Sequence, residues 1–277
     1  MPARRRYALG HGPSYAPPNV AGTSPRLSVL AARDWRRRWD RQQAAMIPDR
    51  EERFEAMLEA LELPSGSCPR MLDLGCGTGS LSERFLRRYP GARSVAVDYD
   101  PVLLEIGRAG MGDFGGRLAW VDADLRRPDW ARELPLRRFD VAASTTALHW
   151  LTPTELSRLY SDIARLVRPG GWFLNGDFVR YPADAPRLHR FSRSIRRRRE
   201  RLIPIRGATW NEFWRAVLRD PRLTRESRLH RVRFPHPHAR TPTADLNGHI
   251  RRLRAAGFRE VNLIWTRWEN RVLAAIR

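Results

Sequence analysis

Short apolar runs alternate with helical patterns through most of this chain, which is the signature of a parallel sheet flanked by helices. The first run, Met71-Leu72-Asp73-Leu74, passes into the glycine turn Gly75-Cys76-Gly77-Thr78-Gly79 and then into a helix from Ser80. That helix carries Leu81, Phe85, Leu86 and Tyr89 at helical spacing, with Glu83, Arg84, Arg87 and Arg88 between them. A second buried run, Ser94 to Asp98, follows, then a third over Leu118 to Leu125 and a fourth over Phe139 to Ser144. Leu156, Leu159, Tyr160, Ile163, Leu166 and Val167 predict a helix over 154–167 that Pro169-Gly170-Gly171 stops, and Trp172 to Asp177 is the fifth strand.

The flanks are less regular. Residues 1 to about 25 are rich in Gly, Pro, Ser and Ala and read as loosely ordered. Residues 28–46 read as a helix with Trp35, Trp39, Gln42 and Gln43 among arginines. Asp49 then serves as the N-cap of a helix with Phe54, Met57, Leu58 and Leu61 in one stripe, leading to a turn at Pro64-Ser65-Gly66. After the fifth strand, a helix over 187–202 sets Leu188, Phe191 and Ile195 against Arg193 and Arg196 to Arg199. A second helix carries Trp210, Phe213, Trp214, Val217 and Leu218. Beyond Pro235-His236-Pro237-His238 the pattern returns to a core helix through Leu246, Ile250 and Leu253, closed by Gly257, and a hairpin of Val261–Thr266 with Arg271–Ile276. The divisions are 1–48, a flexible segment and lid; 49–177, the core; 178–241, an insertion; and 242–277, completion of the core.

Composition narrows the class. A chain of 277 residues can bury one substantial core. Fifty-one basic residues against 30 acidic ones give a formal charge of +21, and every basic residue is arginine. A polyanionic partner and a G- and C-rich genome both account for that bias. Cys68 and Cys76 flank the first strand without metal-ligand spacing, which fits a reducing cytoplasm. His236 and His238 resemble half a metal site with no companion cluster, so no metal is expected. No run has signal-peptide or membrane-span length, and the expectation is a cytoplasmic protein with no membrane contact.

The glycine turn is where the chemistry starts. Glycines there take positive φ and let backbone approach a ligand, and Asp98 ends the next strand about 20 residues on, where an acid grips ribose hydroxyls. A dinucleotide fingerprint requires a third glycine at position 80, where this chain has Ser80. Asp73-Leu-Gly-Cys-Gly-Thr-Gly79, Asp98, Ala123-Asp124-Leu125, Phe139-Asp140 and Leu166-Val-Arg-Pro-Gly-Gly171, in this order, closely resemble the class I S-adenosylmethionine-dependent methyltransferases over residues 70 to 177 and 244 to 277. The resemblance implies an α/β, Rossmann-like seven-stranded sheet with helices on both faces, an N-terminal helical lid and a helical insertion after strand 5. It also implies S-adenosyl-L-methionine as cofactor, with S-adenosyl-L-homocysteine as product. The cofactor residues carried over are Asp73, Gly75, Cys76 and Gly77 near the methionyl end, Asp98 and Tyr99 at the ribose, Asp124 and Leu125 at the adenine edge, and Thr145 beside the methionine moiety.

The loop after the fourth strand speaks to the acceptor. Leu148-His149-Trp150 resembles the corresponding loop of carboxyl methyltransferases of the salicylate, juvenile hormone acid and trans-aconitate types. His149 is the candidate catalytic residue, either a base toward a hydroxyl or a donor to an acceptor that is already anionic. Trp150, Asp177, Trp210, Trp214, Trp39 and Gln43 are candidate acceptor contacts, and the tryptophans have an equally ordinary reading as packing residues. The implied function is methylation of a small anionic or aromatic acceptor, with a carboxylate oxygen favoured, in bacterial secondary metabolism. Methylation of a hydroxyl, nitrogen or carbon on a natural-product scaffold is the alternative. Two rivals stand beside it: a nucleic-acid methyltransferase, which the Ser144-Thr-Thr-Ala-Leu-His-Trp150 run makes unattractive, and a cofactor-binding protein without catalysis. Oligomeric state is not legible.

Overall fold

The computed structural model describes residues 25–61, 63, 66–202, 209–235 and 244–277. The expectations for residues 1 to 24, for the turn residues Pro64 and Ser65 and for His236 and His238 lie outside them. In chain order the elements are α1 (Val29–Met46), α2 (Arg50–Glu59), β1 (Arg70–Leu74), α3 (Ser80–Arg88), β2 (Arg93–Asp98), α4 (Pro101–Met111), β3 (Leu118–Asp122), β4 (Phe139–Thr145), α5 (Pro153–Leu166), β5 (Val167–Phe178), α6 (Pro186–Leu202), α7 (Trp210–Val217), α8 (Thr224–Arg233), α9 (Leu246–Ala255), β6 (Glu260–Arg267) and β7 (Asn270–Ile276). Short 3₁₀ turns at Trp130–Glu133, Leu148–Trp150 and Pro221–Leu223 connect them.

The sheet has seven strands in the order β3-β2-β1-β4-β5-β7-β6. β1 to β5 run parallel, and β7 returns antiparallel between β5 and β6. This is the seven-stranded class I methyltransferase arrangement that the resemblance implied. Near-continuous apolar strands follow from burial on both faces. On one face Leu72, Leu74, Val95, Val97 and Phe173 pack with Leu156, Tyr160 and Ile163 of α5 and Leu253 of α9. On the other, Met71, Ala96, Val141 and Leu174 pack with Phe54 and Met57 of α2 and Phe85 of α3. Phe54, Phe85, Phe139 and Phe173 are each completely or almost completely buried, which stabilises the sheet by roughly 1.5–3 kcal/mol per side chain.

A third cluster joins the flanks to the core. Trp35 and Trp39 of α1 meet Phe213 of α7 and Val102, Leu103 and Ile106 of α4. The aromatic stripe expected of the insertion therefore docks on α1. Trp35 Nε1 also donates to Asp220 Oδ2 at 2.8 Å, tying α1 to the chain after α7.

Several helix ends follow their sequences. Asp100 caps α4 ahead of Pro101, Thr152 and Glu155 form a reciprocal capping box on α5, and Asp245 caps α9. Asp49 departs from expectation. It occupies the N-cap position of α2 with φ 70°, but its carboxylate makes no cap and binds Arg199 and Arg267 instead. Two guanidinium groups outcompete backbone N–H groups for one carboxylate. β5 begins earlier than predicted, at Val167, because the Pro169-Gly170-Gly171 bend stays within the strand ladder opposite β4 and the chain terminus. α4 and α8 had no counterpart in the sequence reading.

Gly75 shows how closely the turn after β1 is built. Its φ is +70°, and a Cβ placed on it would lie 2.3 Å from the Ala147 Cβ of the loop after β4. Gly75→Ala should therefore destabilise the fold by roughly 2–4 kcal/mol, from left-handed strain together with a steric overlap in packed surroundings. Urea denaturation reads this as a drop in midpoint at unchanged slope, and an unaltered midpoint would contradict the close approach.

Candidate active site

The chain order reverses direction at β1, which has β2 on one side and β4 on the other. In open parallel sheets ligands bind beyond the carboxyl ends of strands at such a switch point. The glycine turn, Asp98 and the loop after β4 all leave these strand ends.

Gly75 and Cys76 both donate their N–H to Val97 O, at 2.8 and 3.0 Å, which folds the turn back over β2. The Asp98 carboxylate accepts from the N–H of Gly77, Tyr99 and Asp100 at 2.7, 2.7 and 2.8 Å. Oδ2 takes only the Gly77 donor and keeps an acceptor position open. Burial pushes the Asp98 carboxyl up to about 6 against those backbone donors.

Asp73 is completely buried on the same edge. Its Oδ2 accepts from Ser82 N and Oγ, while Oδ1 has no partner. Thr78 Oγ1, in the turn, is also buried without one. Burial raises the Asp73 carboxyl to about 7, although Ser82 opposes the shift. A raised carboxyl adds stability below its unfolded value and loses it as pH rises, so ionising Asp73 works against the fold between about pH 4 and 7. Such a carboxylate is best satisfied by a cation.

Tyr99 is flanked by the guanidinium groups of Arg126, at 5.2 Å, and Arg233, at 4.5 Å. Arg233 comes from α8 and also grips Asp122 and Tyr99 O. His230 of the same helix bonds to Asp100 at 2.9 Å. The insertion thus closes over the β2 and β3 ends as well as lying beside β5. Asp124, expected at the adenine edge, is held in a bidentate pair by Arg126 with both distances at 2.8 Å.

Past β4 a second cluster forms around an arginine that the sequence reading did not single out. Arg53 of α2 is fully buried, and its guanidinium donates to Thr145 Oγ1 at 2.7 Å, Thr146 Oγ1 at 2.5 Å and Asn270 Oδ1 at 3.1 Å. Its Nε is left without a partner. Burial lowers its pKa to about 10, so it remains charged at neutral pH. Gly176 makes room for it, since a Cβ there would lie 3.1 Å from the Arg53 Cδ. The available signal was an arginine four residues before Met57, inside the apolar stripe of α2.

His149 lies on the 3₁₀ turn after β4, with Nδ1 3.0 and 3.1 Å from the two Asp177 oxygens. Its backbone N–H also donates to Asp177 Oδ2. Burial pushes the imidazole down, but the Asp177 carboxylate more than offsets this and leaves it above its ordinary value. Burial likewise acts to raise Asp177, and His149 and Arg53 together hold it below the usual carboxylate range. An ionised Asp177 can only accept, so Nδ1 carries the proton and Nε2 is the working nitrogen. Behind this pair the Tyr160 hydroxyl shares a hydrogen bond with His249 Nδ1 at 2.6 Å, and burial keeps that histidine neutral by lowering it to about 4.

Asp73, Gly75, Cys76, Gly77, Asp98 and Tyr99 gather around the turn, and Thr145, His149 and Trp150 around the end of β4. Trp150 is 38% exposed with its ring 4.7 Å from that of His149. The other expected acceptor contacts are placed differently. Asp177 is 2% exposed and engaged by His149, so it positions that imidazole. Trp39 packs 5.9 Å from Trp210 and 6.3 Å from Trp214, because pooled aromatic surface buries more area than three separate rings would. Gln43 is buried and donates to Gln42 Oε1. Among the described residues no group of three or more metal-ligating side chains occurs, and no helix is long and apolar enough to cross a membrane.

Residues 71–171 match a family described as a methyltransferase domain. The chain is similar to the trans-aconitate 2-methyltransferase of Azoarcus sp., 31% identical over 134 residues that make up 48% of each protein. It is also similar to the malonyl-[acyl-carrier protein] O-methyltransferase of Geobacter sulfurreducens, 34% identical over 43% of this chain and 42% of that one. The chain thus spans about half the length of these curated relatives. A solved O-methyltransferase family protein from Burkholderia thailandensis shares the fold, with a TM-score of 0.54 at 17% identity over 91% of this chain and 63% of that one. Residues 71–171 are a methyltransferase domain of the class I, S-adenosylmethionine-dependent kind.

Because Asp177 is what raises His149, Asp177→Asn should shift the His149 titration to lower pH. Proton NMR of the imidazole reads this directly, and an unmoved titration would show that the carboxylate does not govern the ring.

Proposed function

We propose that this protein transfers a methyl group from S-adenosylmethionine to an oxygen of a small organic acceptor, with a carboxylate preferred. The observation that carries the reading is the His149–Asp177 pair beside the Arg53 guanidinium at the end of β4. The relatives' names point the same way, since trans-aconitate and malonyl groups are acids.

The residues at the turn fit the cofactor. S-adenosylmethionine, when bound, supplies a methyl group activated by a sulfonium, together with an ammonium, a carboxylate and ribose hydroxyls. Asp73 Oδ1 and Thr78 Oγ1 are buried acceptors lacking donors, Asp98 Oδ2 has a free acceptor position, and Arg53 Nε is a buried donor lacking an acceptor. We assign Asp73, Gly75, Cys76 and Gly77 to the methionyl end, Asp98 and Tyr99 to the ribose, Asp124 and Leu125 to the adenine edge and Thr145 to the methionine moiety. We assign residues 49–177 to the cofactor-binding core and 242–277 to its completion, with α1 as a lid and α6 to α8 as a cap over the acceptor.

Methyl transfer needs alignment and exclusion of water more than acid–base chemistry. With Nδ1 fixed by Asp177, a protonated His149 presents Nε2–H to an anionic carboxylate and holds its oxygen in line. The same pair favours a second reading, in which neutral Nε2 removes the proton of a hydroxyl. The two readings differ in pH dependence. Orientation by the imidazolium gives activity that falls as pH rises through the His149 value, whereas base catalysis gives activity that rises through it.

Two measurements test the reading. Asp98→Ala should weaken S-adenosylmethionine binding by roughly 1.5–3 kcal/mol, through loss of a charged acceptor in a partly buried site. In the wild type, affinity should fall as pH drops through about 7 and then about 6, where Asp73 and Asp98 take up protons, by up to about tenfold per pH unit for each group. Calorimetry showing flat affinity across that range would remove both carboxylates from the cofactor site.

For the acceptor, acids, phenols and amines are screened with mass analysis of products. His149→Gln should keep appreciable activity on a carboxylate, because glutamine still donates a hydrogen bond, and should lose roughly 10²–10⁴-fold if a hydroxyl is deprotonated. A new methyl on carbon or nitrogen would sink both readings.

A further inference from the structure

α6 has two unlike faces. Toward the core, Ser192 is buried, Arg196 lies over the Phe178 ring at 5.0 Å, His189 bonds to Glu269 at 2.5 Å, and Arg199 pairs with Asp49. On the opposite face, Arg187, Arg190, Arg193, Arg197, Arg198 and Arg201 are all exposed and recur at three- and four-residue spacing. Among the described residues none of these six forms an ion pair, although arginines elsewhere in the fold are commonly matched to carboxylates, as in Arg84–Glu51, Arg87–Glu83 and Arg233–Asp122. The stripe runs for about 21 Å at the helical rise.

One edge of the stripe is apolar. Leu188 and Phe191 are 50% and 49% exposed, and the Phe191 ring meets the partly exposed Trp268 edge-on at 4.9 Å. We infer that the outer face of α6 is a docking surface for an acidic protein helix, whose carboxylates pair with the arginine stripe and whose apolar edge covers Leu188, Phe191 and Trp268.

The arrangement selects this occupant over two others. A helix that lies in a lipid interface centres its apolar residues on the outward face and flanks them with cations, whereas here arginine holds the centre and the apolar residues lie to one side. Nucleic acid binds such a stripe through phosphates or through bases stacked on interleaved aromatics, and it leaves an apolar edge beside the stripe uncovered. Protein interfaces combine arginine with aromatic residues, and a fork of guanidinium donors matches a carboxylate at each turn. The inference does not depend on which acceptor is methylated.

The test uses the full chain and a fluorescent helical peptide of about 18 residues, long enough to span the stripe, with Glu facing one side and Leu along one edge. A Gln-for-Glu peptide, a uridine RNA oligomer and vesicles of phosphatidylcholine with phosphatidylglycerol are the competing probes. The Glu peptide is expected to bind more tightly than all three. The triple variant Arg190→Glu, Arg197→Glu, Arg201→Glu should weaken it at least about tenfold, as expected when charged pairs across an interface become repulsive. Phe191→Ser should weaken it several-fold at unchanged salt dependence. Each altered side chain is exposed, and thermal melting checks that the variants remain folded. The proposal is overturned if RNA or vesicles bind more tightly than the Glu peptide, if the triple variant binds it as well as the wild type does, or if the folded wild type does not bind it.

Discussion

The arrangement of the site depends on one buried cation. Arg53 carries its charge into the space between α2, the end of β4 and the start of β7, and three neutral oxygens from Thr145, Thr146 and Asn270 hold it there. A guanidinium buried among neutral partners costs several kcal/mol of lost hydration, so a nearby negative charge is required. Asp177 supplies it and is the main electrostatic influence favouring the charged arginine. The carboxylate that offsets Arg53 is also the one that binds His149. Cation, carboxylate and imidazole are therefore one coupled unit, and the position of each fixes the chemistry open to the others.

That coupling explains why the sheet and turn were legible in the sequence while much of the acceptor site was not. The strands announce themselves as apolar runs because both faces of the sheet are covered, and the turn announces itself because only glycine tolerates φ of +70° against Ala147. These are local constraints. Arg53 meets Thr145 across 92 residues and Asn270 across 217, so spacing in the chain carries no sign of either contact. Asp177 is legible in the sequence only as the end of the fifth strand, and its engagement by His149 is a property of the folded register between β4 and β5.

The insertion shows the same limit. Its second helix, α7, was legible from Trp210, Phe213 and Trp214, but the stripe did not reveal which surface would receive it. Trp35 and Trp39 form a matching apolar face on α1, and the two faces pack on each other, with Trp210 and Trp214 left partly buried. α8 escaped notice because its contacts are polar. It is fixed by His230 on Asp100 and by Arg233 on Asp122 and Tyr99, and a helix held by ion pairs leaves no apolar period to read.

The charge of the chain can now be divided by what the carboxylates do. Asp73 and Asp98 have no arginine partner, and burial drives both upward, to about 7 and about 6. In a protein with 21 more basic than acidic groups, these two carboxylates at the turn are held by backbone and hydroxyl donors rather than by arginine among the described residues. The cationic Arg53, at the end of β4, keeps an unsatisfied Nε. On the proposed cofactor assignment Asp73 would meet the ammonium of the methionyl group, while Asp98 Oδ2 would accept from ribose hydroxyls. His149 and Arg53 share the Asp177 carboxylate, so the proposed preference for an anionic acceptor rests on that one coupled set of charges.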